Sequence, residues 1–415
     1  MIQPGSKNWI DKYFSLVDEG IIDLESLNQP HYLSQSSFLH NVFFNSGIVF
    51  GFPSEFLFFK DESISAKWTT DEKTSFLLFE CLLLMYKSEK KEFVKAEFIS
   101  SLLSFYEQYK DGHSINVFKM LFKESDQVKV ESILKRRVHI KRTLSNQLWV
   151  SYLNNSLVYL DVLAFHSFLI NEKHLKESYN TFVLGALNTV GAMSLVDHVI
   201  EDSEEQILSI YLASSNMDDH SKKEFKQKLA DDNISIDDIT LPTDADELYK
   251  FYLIDMAVLT VHSDLSAMND EITTLYKLCK HLGVSHEQLK RSIILIERFV
   301  MENNHKITFL QERSSYEQLY GNFSKRWIKI LGRNKDKFVE ELRESKELIS
   351  LVNKSLQQEL TQEEKEKVKS QFKDLAKSLP ALAIFMLPGG MILLPLILKI
   401  VPDLIPSAFK NNETN

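Results

Sequence analysis

Apolar residues recur at helical spacing along most of the chain. Trp9, Ile10, Tyr13, Phe14 and Val17 share one helical face, and Gly20 stops that helix. Residues 1–68 are the least regular part, and after that helix a loop-like stretch rich in Phe and Ser runs from Asn28 to Trp68. Within that stretch the run FFNSGIVFGF reads either as a buried hairpin or as a helix. Thr69 with Glu72 forms a capping box that opens a helix over 70–87. Further helices are predicted over 89–109, 114–122 and 126–143. Residues 145–177 are helical and very apolar, but Asn154, Asn155, Ser156 and Asp161 interrupt them. Such groups are costly in hydrocarbon, so this stretch reads as a buried core helix and not as a membrane span. Six more helices are predicted near 180–197, 204–214, 219–231, 246–263, 268–282 and 286–304. Asp202-Ser203 and Asn269 are starts and Gly283 is a stop.

The pattern changes after residue 305. Residues 306–359 are highly charged, with an apolar stripe of Phe338, Leu342, Ile349, Val352 and Leu356 that predicts coiled-coil or hairpin packing. A cluster of Trp327, Ile328, Ile330 and Leu331 among Lys325, Arg326 and Lys329 suits a membrane interface. Thr361 with Glu364 makes a second capping box. From Leu379 to Leu398 the chain carries no charge for 20 residues, enough to cross a hydrocarbon core of about 30 Å as a helix. Lys399 sits where it can snorkel. Pro380, Pro388, Gly389, Gly390, Pro395, Pro402 and Pro406 break the backbone ladder, so the tail is either a kinked span or a re-entrant hairpin, with the span favoured. The expected fold is all-α. It comprises an N-terminal helical domain (1–177), a second helical domain (178–304), a charged helical arm (305–375) and an apolar membrane segment (376–409).

Composition sharpens this picture. Gly (12) and Pro (9) are scarce, and five of the prolines lie in the tail, which favours long helices over a turn-rich β fold. A net charge of −10 argues against general nucleic-acid binding, so no DNA partner is expected. The one dense basic run, KRRVHIKR, places Lys135, Arg136, Arg137, Lys141 and Arg142 together. It reads as a solvated helix face, or as a contact for acidic lipid heads or RNA. Cys81 and Cys279 lie far apart in apolar contexts and read as buried free thiols, which fits a reducing compartment. The N-terminus is polar and lacks an apolar signal core. Phosphate-loop, dinucleotide, zincin and nucleophile-elbow motifs are all missing, and Glu302-x-x-His305 is a lone pair, so no enzyme is expected.

Two resemblances follow from particular residues. LVDHVIEDSEEQILSIYL (195–212) and TVHSDLSAMNDEITTLYKL (260–278) form a weak internal repeat in which Glu205 and Glu271 are equivalent. The second copy, His262-Ser263-Asp264-Leu265-Ser266 followed by Glu271, resembles tellurite-resistance TerB-like domains, with Leu265 where that family has Gly. The resemblance implies a divalent cation at Asp264 and Glu271. The alternative is that these residues terminate and open helices. The tail, from Leu360-Thr361 through Pro380, Pro388, Pro395, Lys399 and Pro402 to Pro406-Ser407 and Phe409, resembles the membrane-segment region of Letm-type proteins. Met391 stands where that family commonly has an intramembrane acid, and no DxDxDG loop occurs. The resemblance leaves a ribosome as a further partner, although the domain that follows in the family and is linked to ribosome binding is read as absent. The combination is similar to bacterial Letm-related, biofilm-associated proteins. These readings imply a non-enzymatic protein anchored by its tail in the inner membrane, with a cytoplasmic body, membrane lipid as a partner, and a protein partner or a second copy besides. The alternatives are a component of cation homeostasis or transport formed by self-assembly, and a scaffold whose apolar tail folds back on its body.

Overall fold

A computed structural model describes residues 2–27, 29, 34–90, 92–109, 124–140, 155–196, 202–243, 245–261, 269–303 and 345–355, together with 361, 363, 364, 367, 368, 370 and 371. Every regular element among them is a helix, as expected. Residues 1–296 with 306–313 form one compact unit, and 297–305 with 314–415 form another. The expected boundary at 177 falls inside the first unit.

The first unit is organised around two helices that are apolar on every side. α1 (Trp9–Asp18), α2 (Gln35–Ser46) and the single turn α3 (Glu62–Ser65) precede the first of these, α4 (Thr70–Glu89). The predicted capping box is formed: Thr69 N–H donates to Glu72 Oε2 at 2.7 Å, and Glu72 N–H to Thr69 Oγ1 at 3.3 Å. From Thr74 to Tyr86 every residue of α4 is buried. A helix without a polar face belongs in the centre of its unit. α4 packs against α6 (Asp126–Val138) and α7 (Tyr159–Ile170), with α5 (Lys95–Gln108) beside them. α7 is indeed a core helix.

The second central helix is α11 (Glu247–Val261), buried from Leu248 to Val261 except at Lys250. It packs on α8 (Tyr179–Ser194), α12 (Asn269–Leu282) and α2, while α9 (Asp202–Ser214) lies on α8. α10 (Asp219–Ala230) is an amphipathic surface helix that buries only Phe225. Gly185 lets α8 and α11 approach closely. A Cβ there would lie 2.3 Å from the Tyr249 hydroxyl, which donates to Phe182 O at 2.9 Å. α13 (His286–Asn303) ends the series.

The ambiguous run after Phe43 is helical. α2 ends at Gly47 with φ +80°, a 3-10 turn covers Ile48–Phe50, and Gly51 follows at φ +66°. The two glycines supply the left-handed turns that a continuous helix lacks. Both cysteines are buried and unbridged.

The expected membrane segment is corrected. Among the described residues no helix is long and apolar enough to cross a membrane. The apolar α11 has only 15 residues, and the 20-residue α4 carries charges at both ends and one at its centre. Residues 376–409, including Pro380, Pro388, Gly389, Gly390, Pro395, Lys399, Pro402 and Pro406, lie outside the described residues. The spanning anchor, the membrane-lipid partner and the inner-membrane location expected from it are withdrawn with it.

Candidate functional site

The basic run on α6 does not present one face. Lys135 is exposed, Arg136 half-buried and Arg137 buried, while Lys141 and Arg142 lie outside the described residues. The Arg137 guanidinium grips Asp161 of α7 with two hydrogen bonds, Nε to Oδ2 at 2.8 Å and Nη2 to Oδ1 at 2.6 Å. The pair is closed to solvent, with side-chain exposures of 2% and 0%. Tyr106 donates its hydroxyl to Asp161 Oδ2 at 3.0 Å, and Asn155 donates its amide to Arg137 O at 2.8 Å. Arg137 also lies over the Tyr179 and Tyr109 rings, at 4.8 and 5.4 Å. Burial and then the Asp161 carboxylate push the Tyr106 phenol well above its ordinary value. Asp161, read from sequence only as a polar interruption, is the reason one arginine of the run turns inward.

The central helices each carry one buried acid. Glu80 on α4 accepts hydrogen bonds from Leu57, Phe58 and Phe59 N–H and from Tyr13. Asp255 on α11 meets His40 Nε2 at 2.6 Å through Oδ2, and Gln288 Nε2 lies 3.4 Å from His40 Nδ1. Asp255 Oδ1 and the buried Tyr159 and Tyr252 hydroxyls have no hydrogen-bond partner among the described residues. Glu80 and Asp255 have no solvent exposure, so neither is placed to meet a substrate arriving from solution.

A third junction is half-open. His166 of α7 contacts Asp246, just before α11, through Nδ1, and Glu89 at the end of α4 through Nε2 at 3.1 Å. Gln35 of α2 adds a bond to Glu89 at 3.2 Å. Burial alone would lower the imidazole pKa. The hydrogen bonds to Asp246 and Glu89 outweigh it and raise it to about 9. A raised histidine pKa contributes stability that is full below about 6.5 and is lost as pH rises through about 9. The melting temperature of the protein is therefore expected to fall between those values, and His166→Gln should flatten that fall. An unchanged slope in the variant would assign the dependence to other groups.

The expected cation residues are not brought together in what is described. Asp264 lies outside the described residues, and Glu271 is the third residue of α12 with its side chain outside them too. Glu205, its repeat counterpart, is exposed on α9. Among the described residues no group of three or more His, Cys, Asp or Glu side chains could hold a metal ion.

In the second unit, α14 (Lys346–Ser355) pairs with the residues that follow Thr361. Ser345 donates to Gln371 at 2.7 Å, Gln371 to Glu347 at 3.2 Å, and Lys354 pairs with Glu364. Contacts that rise along one partner and fall along the other define an antiparallel helical hairpin. Leu348, Leu351 and Val368 are buried in it. The second capping box is formed: Thr361 N–H donates to Glu364 Oε2 at 3.0 Å, and Glu364 N–H to Thr361 Oγ1 at 3.3 Å. The hairpin matches the packing predicted for the arm. The side chains of the expected stripe, Phe338, Leu342, Ile349, Val352 and Leu356, lie outside the described residues.

No curated protein and no solved structure matches this chain. A family comparison matches residues 360–415, starting at this hairpin and lying outside the 178–304 stretch expected to be TerB-like. That match agrees with the Letm-like resemblance read over 360–409 and gives no support to the TerB-like or biofilm-associated readings. Residues 360–415 are similar to the family described as LETM1-like, RBD.

Proposed function

We propose that this chain is a non-enzymatic helical scaffold that associates with a second copy of itself through its C-terminal LETM1-like segment. The observation that supports the reading is the hairpin. The first helical turns of the matched segment are tied to α14 by Lys354–Glu364 and Ser345–Gln371, and Leu348, Leu351 and Val368 are buried. The sequence then runs directly into the 20 uncharged residues 379–398. An apolar stretch of that length is covered by protein when it is not left as an exposed patch. The buried acids of the first unit hold helices together and are closed to solvent, which fits a scaffold better than a reaction centre. A discrete oligomer of the full chain that is lost on removing residues 376–415, which leaves the hairpin residues in place, is the expected result. Sedimentation velocity reads it.

A further inference from the structure

Glu80 sits at the middle of α4 with no solvent exposure and no ion-pair partner among the described residues. Its carboxylate is held by dipoles. Oε2 accepts the N–H groups of Leu57 at 2.6 Å and Phe58 at 3.3 Å. Oε1 accepts Phe59 N–H at 2.9 Å and the Tyr13 hydroxyl at 3.2 Å. Lys60, in the same loop, commits its ammonium to Glu55 and to Phe56 O, at 2.8 and 2.7 Å. Cys81, its neighbour on α4, is buried and its thiol is pushed up, so it is neutral. The buried charges on α6, α7 and α2, the helices packed around α4, are engaged elsewhere. Glu131 of α6 accepts Asn8 and Ile10 N–H, Arg137 and Asp161 hold each other, and His40 of α2 is on Asp255.

An isolated buried carboxylate is costly, and its four donors only partly offset that cost. Of these four, only the Tyr13 hydroxyl can also accept. We propose that Glu80 is a proton-uptake site, with Tyr13 turning from donor to acceptor when the carboxyl is protonated. The proton comes from solvent onto Oε1, which then donates to Tyr13 Oη, while the phenol hydrogen rotates away. Oε2 keeps Leu57 and Phe58. Oε1 becomes a poorer acceptor for Phe59, so the change is delivered to that residue. Phe59 stacks on Trp68, with ring centroids 5.6 Å apart and an 18° interplanar angle, and Trp68 packs on Phe56 and Phe76. Protonation is thereby coupled to the aromatic cluster that seats the 52–60 loop.

Burial pushes the Glu80 carboxyl up to about 7, against the pull of the Phe58, Phe59 and Leu57 N–H groups. The folded protein then holds this proton more tightly than the unfolded chain does. The stabilising contribution is full below about 4.5 and is lost as pH rises through about 7.

The test is a titration of tryptophan fluorescence in the full chain across about pH 5.5–8.5. A sigmoid with its midpoint near 7 is expected, absent in Glu80→Gln and shifted up by about one pH unit in Tyr13→Phe, where the ionised form loses a donor. No inflection in the parent, or the same inflection in Glu80→Gln, would overturn the proposal. Where Glu80→Gln fails to fold, the parent chain labelled with 15N-Leu and 15N-Phe decides. The Leu57, Phe58 and Phe59 amide shifts should move with one midpoint near 7, and shifts that stay flat would overturn it.

Discussion

Arg137→Met is expected to destabilise the first unit by about 3–5 kcal/mol, the cost of leaving one member of a buried ion pair unmatched. Asp161 would keep one neutral donor, Tyr106, and lose both charged ones. The stacking of Arg137 on Tyr109 and Tyr179 would go as well. Methionine keeps much of the volume, so the loss is electrostatic and not a cavity. Replacing both partners, Arg137→Met with Asp161→Leu, should return stability to within about 2 kcal/mol of the parent, the remainder being the stranded Tyr106 hydroxyl. Urea unfolding of the two singles and the double closes the cycle. Additive costs would mean that the two side chains do not act as a pair.

Gly51→Ala is the second large effect, at about 3 kcal/mol or more. Gly51 has φ +66°, and a Cβ there would lie 2.2 Å from Asn155 O and 2.7 Å from Asn155 C. Both are backbone atoms, so relief requires moving the 155–156 segment. That segment positions the Asn155 amide on Arg137 O and brings Ser156 N–H to Ser214 Oγ at 3.0 Å. Gly20 is the internal control. Its φ is +74° and its Cβ would meet nothing within 4 Å, so Gly20→Ala should cost only the left-handed backbone penalty of about 1–2 kcal/mol. Equal melting temperatures for the two variants would contradict the close approach at Gly51.

Much of the helical plan was legible because its signals are local. Thr69 and Glu72 mark a start within four residues, and Gly283 marks a stop by its own backbone freedom. Helix limits drift where no cap is encoded. The helix expected over 89–109 starts at Lys95, and Val94 before it carries no capping side chain that would mark that start. The inward turn of Arg137 was not legible. It depends on Asp161, 24 positions away, and a basic run reads the same whichever member turns inward. Glu80 and Asp255 did leave a trace, a single acid in runs such as LLFECLLL and YLIDMAVL. Such an acid has no polar face to occupy and must find donors inside. The tail misled for a related reason. Hydropathy over 379–398 reports composition, and the same composition suits a surface covered by protein.

The account rests on association through residues 360–415, and sedimentation velocity over a concentration series tests it directly. The full chain should form one discrete, reversible oligomer. The chain ending at residue 375, which keeps the α14 hairpin residues, should run as a monomer at the same concentrations. A full chain that stays monomeric throughout, or a shortened chain that associates equally well, would contradict the scaffold reading.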